Sequence, residues 1–245
     1  MKTIVCGKGG CGKSAITSLI AKEISRRGFK VVVADNDESN FGLHTYLGLD
    51  LPKDLVNYFG GRDEVFEKID EIKQALRLQD VSSDYISQKG GISLLSMGKI
   101  KEYGEGCACP INALSSEFYS NLRLEDGEFL LVDAEAGIEH FGRGVEEGCD
   151  LILMVVDPTQ ESLRLAKKVF NFGDEIGLEV LFVLNKVNER EEGFLKKSLP
   201  EKRIISSIPE VEEISEASLE GKELDMRQKG IKEIVNVLAE FEGEN

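Results

Sequence analysis

Short apolar runs alternate with amphipathic stretches along almost the whole chain. Lys2–Cys6 (KTIVC), Lys30–Asp35 (KVVVAD), Ile92–Ser96 (ISLLS), Phe129–Val132 (FLLV), Leu151–Val156 (LILMVV), Leu178–Leu184 and Arg203–Ser207 are mostly apolar and rich in β-branched residues. Such continuous runs suit parallel strands buried on both faces. Between them lie helical stretches: Ala15–Arg27, a short one at Phe41–Leu49 that stops near Pro52, and Asp63–Arg77. In the last of these, Val65, Phe66, Ile69, Ile72 and Leu76 recur at helical spacing with charges on the other face. Further helices are predicted over Asn112–Leu124 and from Asp157-Pro158-Thr159 to Ile176, where Pro and a hydroxyl suit a helix start. Another follows the turn at Ile208-Pro209-Glu210, and a last one carries Ile231, Ile234, Val235, Leu238 and Phe241. Asp80–Gly91 is polar and reads as a loop with room for one short strand. Strand and helix alternate without repeats or linkers, so the expected fold is α/β: a doubly wound, mostly parallel sheet in one domain spanning residues 1–245.

The first strand runs directly into Gly7-Lys8-Gly9-Gly10-Cys11-Gly12-Lys13-Ser14, which fits the phosphate loop G-x-x-x-x-G-K-[ST] at every fixed position. Glycines let consecutive backbone N–H groups approach phosphate oxygens, and the helix entered at Ala15 turns its unpaired N–H groups and positive dipole end to the same anion. Lys13 can reach the β- and γ-phosphates, and the Ser14 hydroxyl is placed to ligate Mg²⁺. The competing reading is a ligand-free glycine turn, but the strand before and the helix after meet the motif's own requirement. The pattern therefore predicts the P-loop NTPase fold and an ATP/ADP–Mg²⁺ site. Asp35 and Asp37 follow the second strand and Asp133 ends the fourth apolar run, at the strand ends where open parallel sheets bind ligands. Asp133 has the form of a Walker B aspartate bearing on Mg²⁺. A solvated acidic turn is the plainer reading for Asp35 and Asp37. Asn185 closes another strand, and its amide can pair with the donor and acceptor on an adenine edge. The sequence there is Asn185-Lys186-Val187-Asn188, without the aspartate of the guanine-reading N-K-x-D pattern. ATP is favoured over GTP.

Charge narrows the partners. With 30 basic and 45 acidic residues the chain carries −15, a surface that repels phosphate backbones and anionic lipid. Neither nucleic acid nor membrane is expected as a main partner. No apolar run nears the ~20 residues of a membrane helix and no secretory leader precedes the first strand, so a cytosolic location is expected. Five cysteines in such a chain read as free thiols or metal ligands rather than a disulfide framework.

Lys8 adds a lysine the phosphate loop does not require. K-G-G-C-G-K-S resembles the deviant phosphate loop of the ATPase family containing MinD, ParA, nitrogenase iron protein and several metallochaperones. The resemblance implies a nucleotide-sandwich homodimer in which Lys8 reaches the partner's phosphates. It also implies that Asp37 lies beside the attacking water, that Asp35 supports Mg²⁺, that Asn185 contacts the base, and that the Pro209–Glu210 turn packs on it. Gly137 would offer a backbone N–H to the γ-phosphate. Glu38 and Glu135 stand where the family usually has proline, which alters both loops.

Cys107 and Cys109 form a Cys-x-Cys in a glycine-rich stretch before Pro110. Three readings compete: incidental buried thiols, a vicinal redox pair, and a metal site. A structural disulfide across one residue is strained, and the glycines and proline do not suit a packed core. Two thiolates half-fill a four-coordinate shell, and a two-fold dimer supplies the other pair, so a Ni²⁺ or Zn²⁺ ion shared across the dimer is expected. K-G-G-C-G-K-S, D-N-D-E, C-A-C-P and D-A-E-A-G-I-E-H together resemble the CooC-type nickel-insertion ATPases over essentially the whole chain. This implies ATP-dependent nickel delivery to an apo-metalloenzyme such as carbon monoxide dehydrogenase. Two alternatives stay open: a MinD/ParA-like positioning ATPase, and an iron–sulfur ATPase using Cys107 with Cys149. Cys6 and Cys149 read as core residues, and His44 and His140 could extend a metal shell.

Overall fold

The computed structural model describes residues 1–38, 40–72, 76–99, 109–135 and 144–244. Its strands are β1 (Lys2–Gly7), β2 (Lys30–Asp35), β3 (Ser87–Lys89), β4 (Ile92–Ser96), β5 (Glu128–Glu135), β6 (Leu151–Val156), β7 (Glu179–Asn185) and β8 (Ile204–Ile208). They form an eight-stranded sheet in the order β3-β4-β2-β5-β1-β6-β7-β8. Every pairing is parallel except the edge pair β3–β4.

Adjacent strand residues point to opposite faces, and both faces are covered. Val31, Val33, Leu131 and Leu153 pack with α1 (Lys13–Arg26), α2 (Leu43–Leu47) and the C-terminal helix, while Val32, Ala34, Leu130 and Met154 face the other core. That other core includes α3 (Leu55–Tyr58), α5 (Cys109–Asn121) and α6 (Gln160–Ile176). The remaining helices are α4 (Val65–Ile72), α7 (Glu189–Ser198), α8 (Glu212–Glu220) and α9 (Lys229–Glu244). The doubly wound sheet expected from the apolar runs is the observed one.

Several boundaries differ from the sequence reading. Of the helix expected over Asp63–Arg77, Val65–Ile72 is described as α4, and Leu76 instead bridges to Leu122 in a strand-like contact. Its apolar side chain was not the continuation of a helical stripe. The helix expected from Asn112 is already present over Cys109–Asn121. β5 runs on through Asp133 to Glu135, because it is paired with β1 along that whole length.

Topology positions the site. β1 lies between β5 and β6, so the loop after it emerges at the centre of the sheet's C-terminal edge. Register then sets Asp35 directly beside Asp133, and Asp133 beside Val5, two residues before the loop.

Candidate functional site

The loop between β1 and α1 is shaped by glycine where geometry requires it. Gly12, the N-cap of α1, has φ of +94°, and a Cβ there would stand 2.5 Å from Asn185 Nδ2. A Cβ on Gly7 would meet Cys11 Sγ at 2.5 Å and the Val155 carbonyl at 2.7 Å. Gly9 and Gly10 lie exposed at the tip. No side chain caps α1 and no acid sits in its first turn, so its free N–H groups and dipole are left for an anion.

Around this helix end the predicted residues converge. Lys13 Nζ is 2.5 Å from Asp37 Oδ2, both side chains nearly buried. Ser14 Oγ donates to Asp133 Oδ2 at 2.6 Å, and Thr17 Oγ1 to Asp133 Oδ1 at 3.1 Å. Burial pushes the Asp35 carboxyl up to about 7, against the pull of Lys99. Burial also raises Asp133, opposed by Lys13 and the Ser14 hydroxyl. For Lys13, burial works toward deprotonation, but Asp133 and Asp37 outweigh it and hold the ammonium above its usual range. Lys13 is therefore a fixed cation at neutral pH.

A cleft of about 690 Å³ opens beside the loop. Gly10, Gly12, Lys13, Ser14 and Ala15 of the loop and helix line it together with Asn185, Pro209 and Glu210. Sequence reasoning had placed these distant segments in one site, and the structure brings them together. Asn185 Nδ2 donates to the Cys11 carbonyl at 2.8 Å, so the amide also braces the loop. Lys8 does not line the cleft; its Nζ is 3.5 Å from Asp157 Oδ2 of the same chain.

Several contributors went unseen in the sequence. Tyr46 of α2 and Ile214 and Leu219 of α8 add apolar surface to the cleft. Lys186 has φ of +60° and donates to the Gly10 carbonyl at 3.0 Å; a non-glycine residue in that region marks a constrained backbone. Asn40 Nδ2 donates to Ser14 Oγ at 2.9 Å. Thr17 alone left a readable signal, lying one turn after Ser14 on the same helix face.

The cysteines divide. Cys6 and Cys149 are buried, as core residues should be, and burial raises both thiols well above the usual range. Cys109 is exposed at the first turn of α5, and its sulfur is disulfide-bonded rather than free. Cys107, Gly137 and His140 lie outside the described residues. His44 Nε2 contacts Thr45 Oγ1 at 3.3 Å. Between the two acids, Asn36 Oδ1 accepts hydrogen bonds from Ser115 Oγ and, at 3.1 Å, from Tyr119 Oη. Both donors are on α5, the helix that Cys109 opens.

Residues 2–224 match the model of the CobQ/CobB/MinD/ParA nucleotide binding domain. The chain belongs to this family. It is accordingly a P-loop ATPase that binds ATP or ADP. Over 97% of its length it is 45% identical to an uncharacterized ATP-binding protein of Methanocaldococcus jannaschii, covering 99% of that protein. It is 30% identical to the carbon monoxide dehydrogenase accessory protein CooC of Rhodospirillum rubrum, over 85% of this chain and 83% of that one. The septum site-determining protein MinD of Pyrococcus horikoshii, solved with Mg-ADP, shares the fold with a TM-score of 0.69 at 21% identity, across 98% of this chain and 94% of that one.

Proposed function

We propose that this ATPase is a metallochaperone: a nucleotide-controlled homodimer that carries nickel, or zinc, between Cys107 and Cys109 of its two subunits and hands it to an apo-metalloenzyme. Carbon monoxide dehydrogenase is the client suggested by the CooC relative. The observation that carries the reading is the link from Asn36 to Ser115 and Tyr119. It ties the segment holding Asp35 and Asp37 to the helix that begins with Cys109. Nucleotide chemistry and the cysteine pair thus share one mechanical element. Because Cys109 is disulfide-bonded, metal would enter only after reduction. Both thiols must then lose protons, so occupancy falls as pH is lowered.

On this reading Asp37 positions the attacking water. Lys13 pairs with Asp37, and a γ-phosphate would compete with that carboxylate for the ammonium. The Ser14 hydroxyl and the Asp133 and Asp35 carboxylates present hard oxygen donors in one place, a set suited to Mg²⁺ or its waters. Bound there, Mg²⁺ would neutralise charge on the transferred phosphoryl group. Asn185 and the Pro209–Glu210 turn, which line the same cleft as Lys13, would hold the base. Lys8, paired with Asp157 in the single chain, would exchange that partner for the other subunit's phosphates.

A positioning role, as in MinD, draws on the same fold and is the second reading; the cysteine pair favours the first. Sedimentation with metal analysis on reduced, anaerobically prepared protein separates them. One metal per dimer is expected, lost in Cys107→Ala/Cys109→Ala, with Lys8→Ala losing only the nucleotide-dependent part of dimerisation. One equivalent retained by each separated monomer would falsify the shared site. Metal binding untouched by the double cysteine change removes the chaperone role altogether.

A further inference from the structure

Lys99 follows β4, outside any recognised motif, and its side chain is 0% exposed. Lysine is almost never fully buried unless paired, because its ammonium gives up strong hydration. Lys99 does not line the nucleotide cleft, so it is not placed to meet phosphate. Its ammonium is instead spent on one short segment, as an ion pair to one acid and two hydrogen bonds to backbone carbonyls. Nζ lies 2.7 Å from Asp35 Oδ2, 2.5 Å from the Asp37 carbonyl and 2.5 Å from the Asn40 carbonyl. The Phe41 ring centroid lies 5.5 Å from the same ammonium.

The far side of that segment faces the reacting groups. Asp37 Oδ1 accepts from the Asn40 backbone N–H at 3.1 Å, and Asp37 Oδ2 takes Lys13. Lys99 therefore grips the backbone at both ends of the hydrogen bond that orients the Asp37 carboxylate. The Asn40 side chain extends the arrangement to Ser14. From this geometry we infer that Lys99 is a positioning residue for ATP hydrolysis: by fixing the Asp37 and Asn40 carbonyls it holds the Asp37 carboxylate where it meets the attacking water. The inference rests on the proposed role of Asp37. A lysine serving only stability would need no particular acceptors; this one converges on both flanks of a single side chain.

Lys99→Met keeps the length and apolar stem while removing all three donors. Misplacing a reacting group by about 1 Å costs roughly a hundredfold, so kcat should fall by about that factor, with the ADP and ATP dissociation constants nearly unchanged. The deciding measurement is a double-mutant cycle with Asp37→Ala, since residues acting through one another are not additive. Adding Lys99→Met to Asp37→Ala should lower kcat no further. If the orphaned Asp35 carboxylate prevents that variant from folding, Lys99→Gln, which keeps an amide donor beside Asp35, takes its place in the cycle and should lower kcat in the same sense. Wild-type turnover in a folded Lys99 variant, or additive losses in the cycle, overturns the inference. Asp37→Ala alone tests the underlying assignment: normal hydrolysis there sinks both, whereas an inactive Asp37→Ala beside a fully active Lys99→Met sinks only the role of Lys99.

Discussion

Gly12 shows how narrowly one residue can be constrained. Its φ of +94° is strained for any side chain, and the space a Cβ would take is already held by Asn185 Nδ2. Asn185 cannot simply swing aside, because it donates to the Cys11 carbonyl. Gly12→Ala should therefore lose about 1–2 kcal/mol of stability from the left-handed backbone alone. A further 1.4 kcal/mol of distortion felt in binding would weaken nucleotide by about tenfold. Denaturant unfolding beside ATP titration tests this; a variant matching wild type in both would show that the loop relaxes freely. The acids were visible in the sequence as strand-end residues, but their protonation was not. Asp35 is driven up to about 7 by burial, a property of its surroundings that no motif encodes. Lys99 belongs to no motif, and its contacts with Asp35, Asp37 and Asn40 depend wholly on what folds around it.

At the scale of elements, a capping side chain made one helix start legible, while the helix over Glu189–Ser198 went unpredicted despite its cap. Thr159 was expected at the start of a helix, and its hydroxyl accepts from the Ser162 backbone N–H. Thr159→Ala should cost about 1 kcal/mol and leave ATP turnover intact, since Thr159 lies outside the nucleotide cleft. Paired denaturation and ATPase measurements check this; lost turnover would connect α6 to catalysis, for instance through Asp157, which accepts from the Thr159 hydroxyl. Asn188 plays the same part for α7, with its side chain accepting from the Arg190 and Glu191 N–H groups. Helix ends without such local signals were misplaced. Leu76, expected inside a helix, instead pairs with Leu122, far along the chain. Helical periodicity cannot anticipate a partner that distant.

For the molecule as a whole, net charge makes a separate claim. At −15 the surface works against a polyanion, and non-specific DNA binding is largely electrostatic and salt-dependent. Anisotropy titration of labelled duplex DNA at low salt, with ATP present, should show no binding. A salt-sensitive affinity would instead support the partitioning role. No described helix is long and apolar enough to cross a membrane.

The sequence by itself determined the strands, the phosphate loop and the acids at strand ends. These depend on contiguous residues, on burial of both sheet faces, and on a motif whose backbone chemistry is local. Asn185 could be assigned to the same site because open parallel sheets collect their ligands at one edge, whereas the Pro209–Glu210 turn was placed there by the family resemblance. Tertiary structure decided what each side chain holds: Lys13 on Asp37, Lys8 on Asp157, Asn36 on Ser115 and Tyr119, Lys99 on the acid segment. Each joins residues separated by many positions, and an ammonium or amide takes its partner from what the fold delivers within about 3 Å.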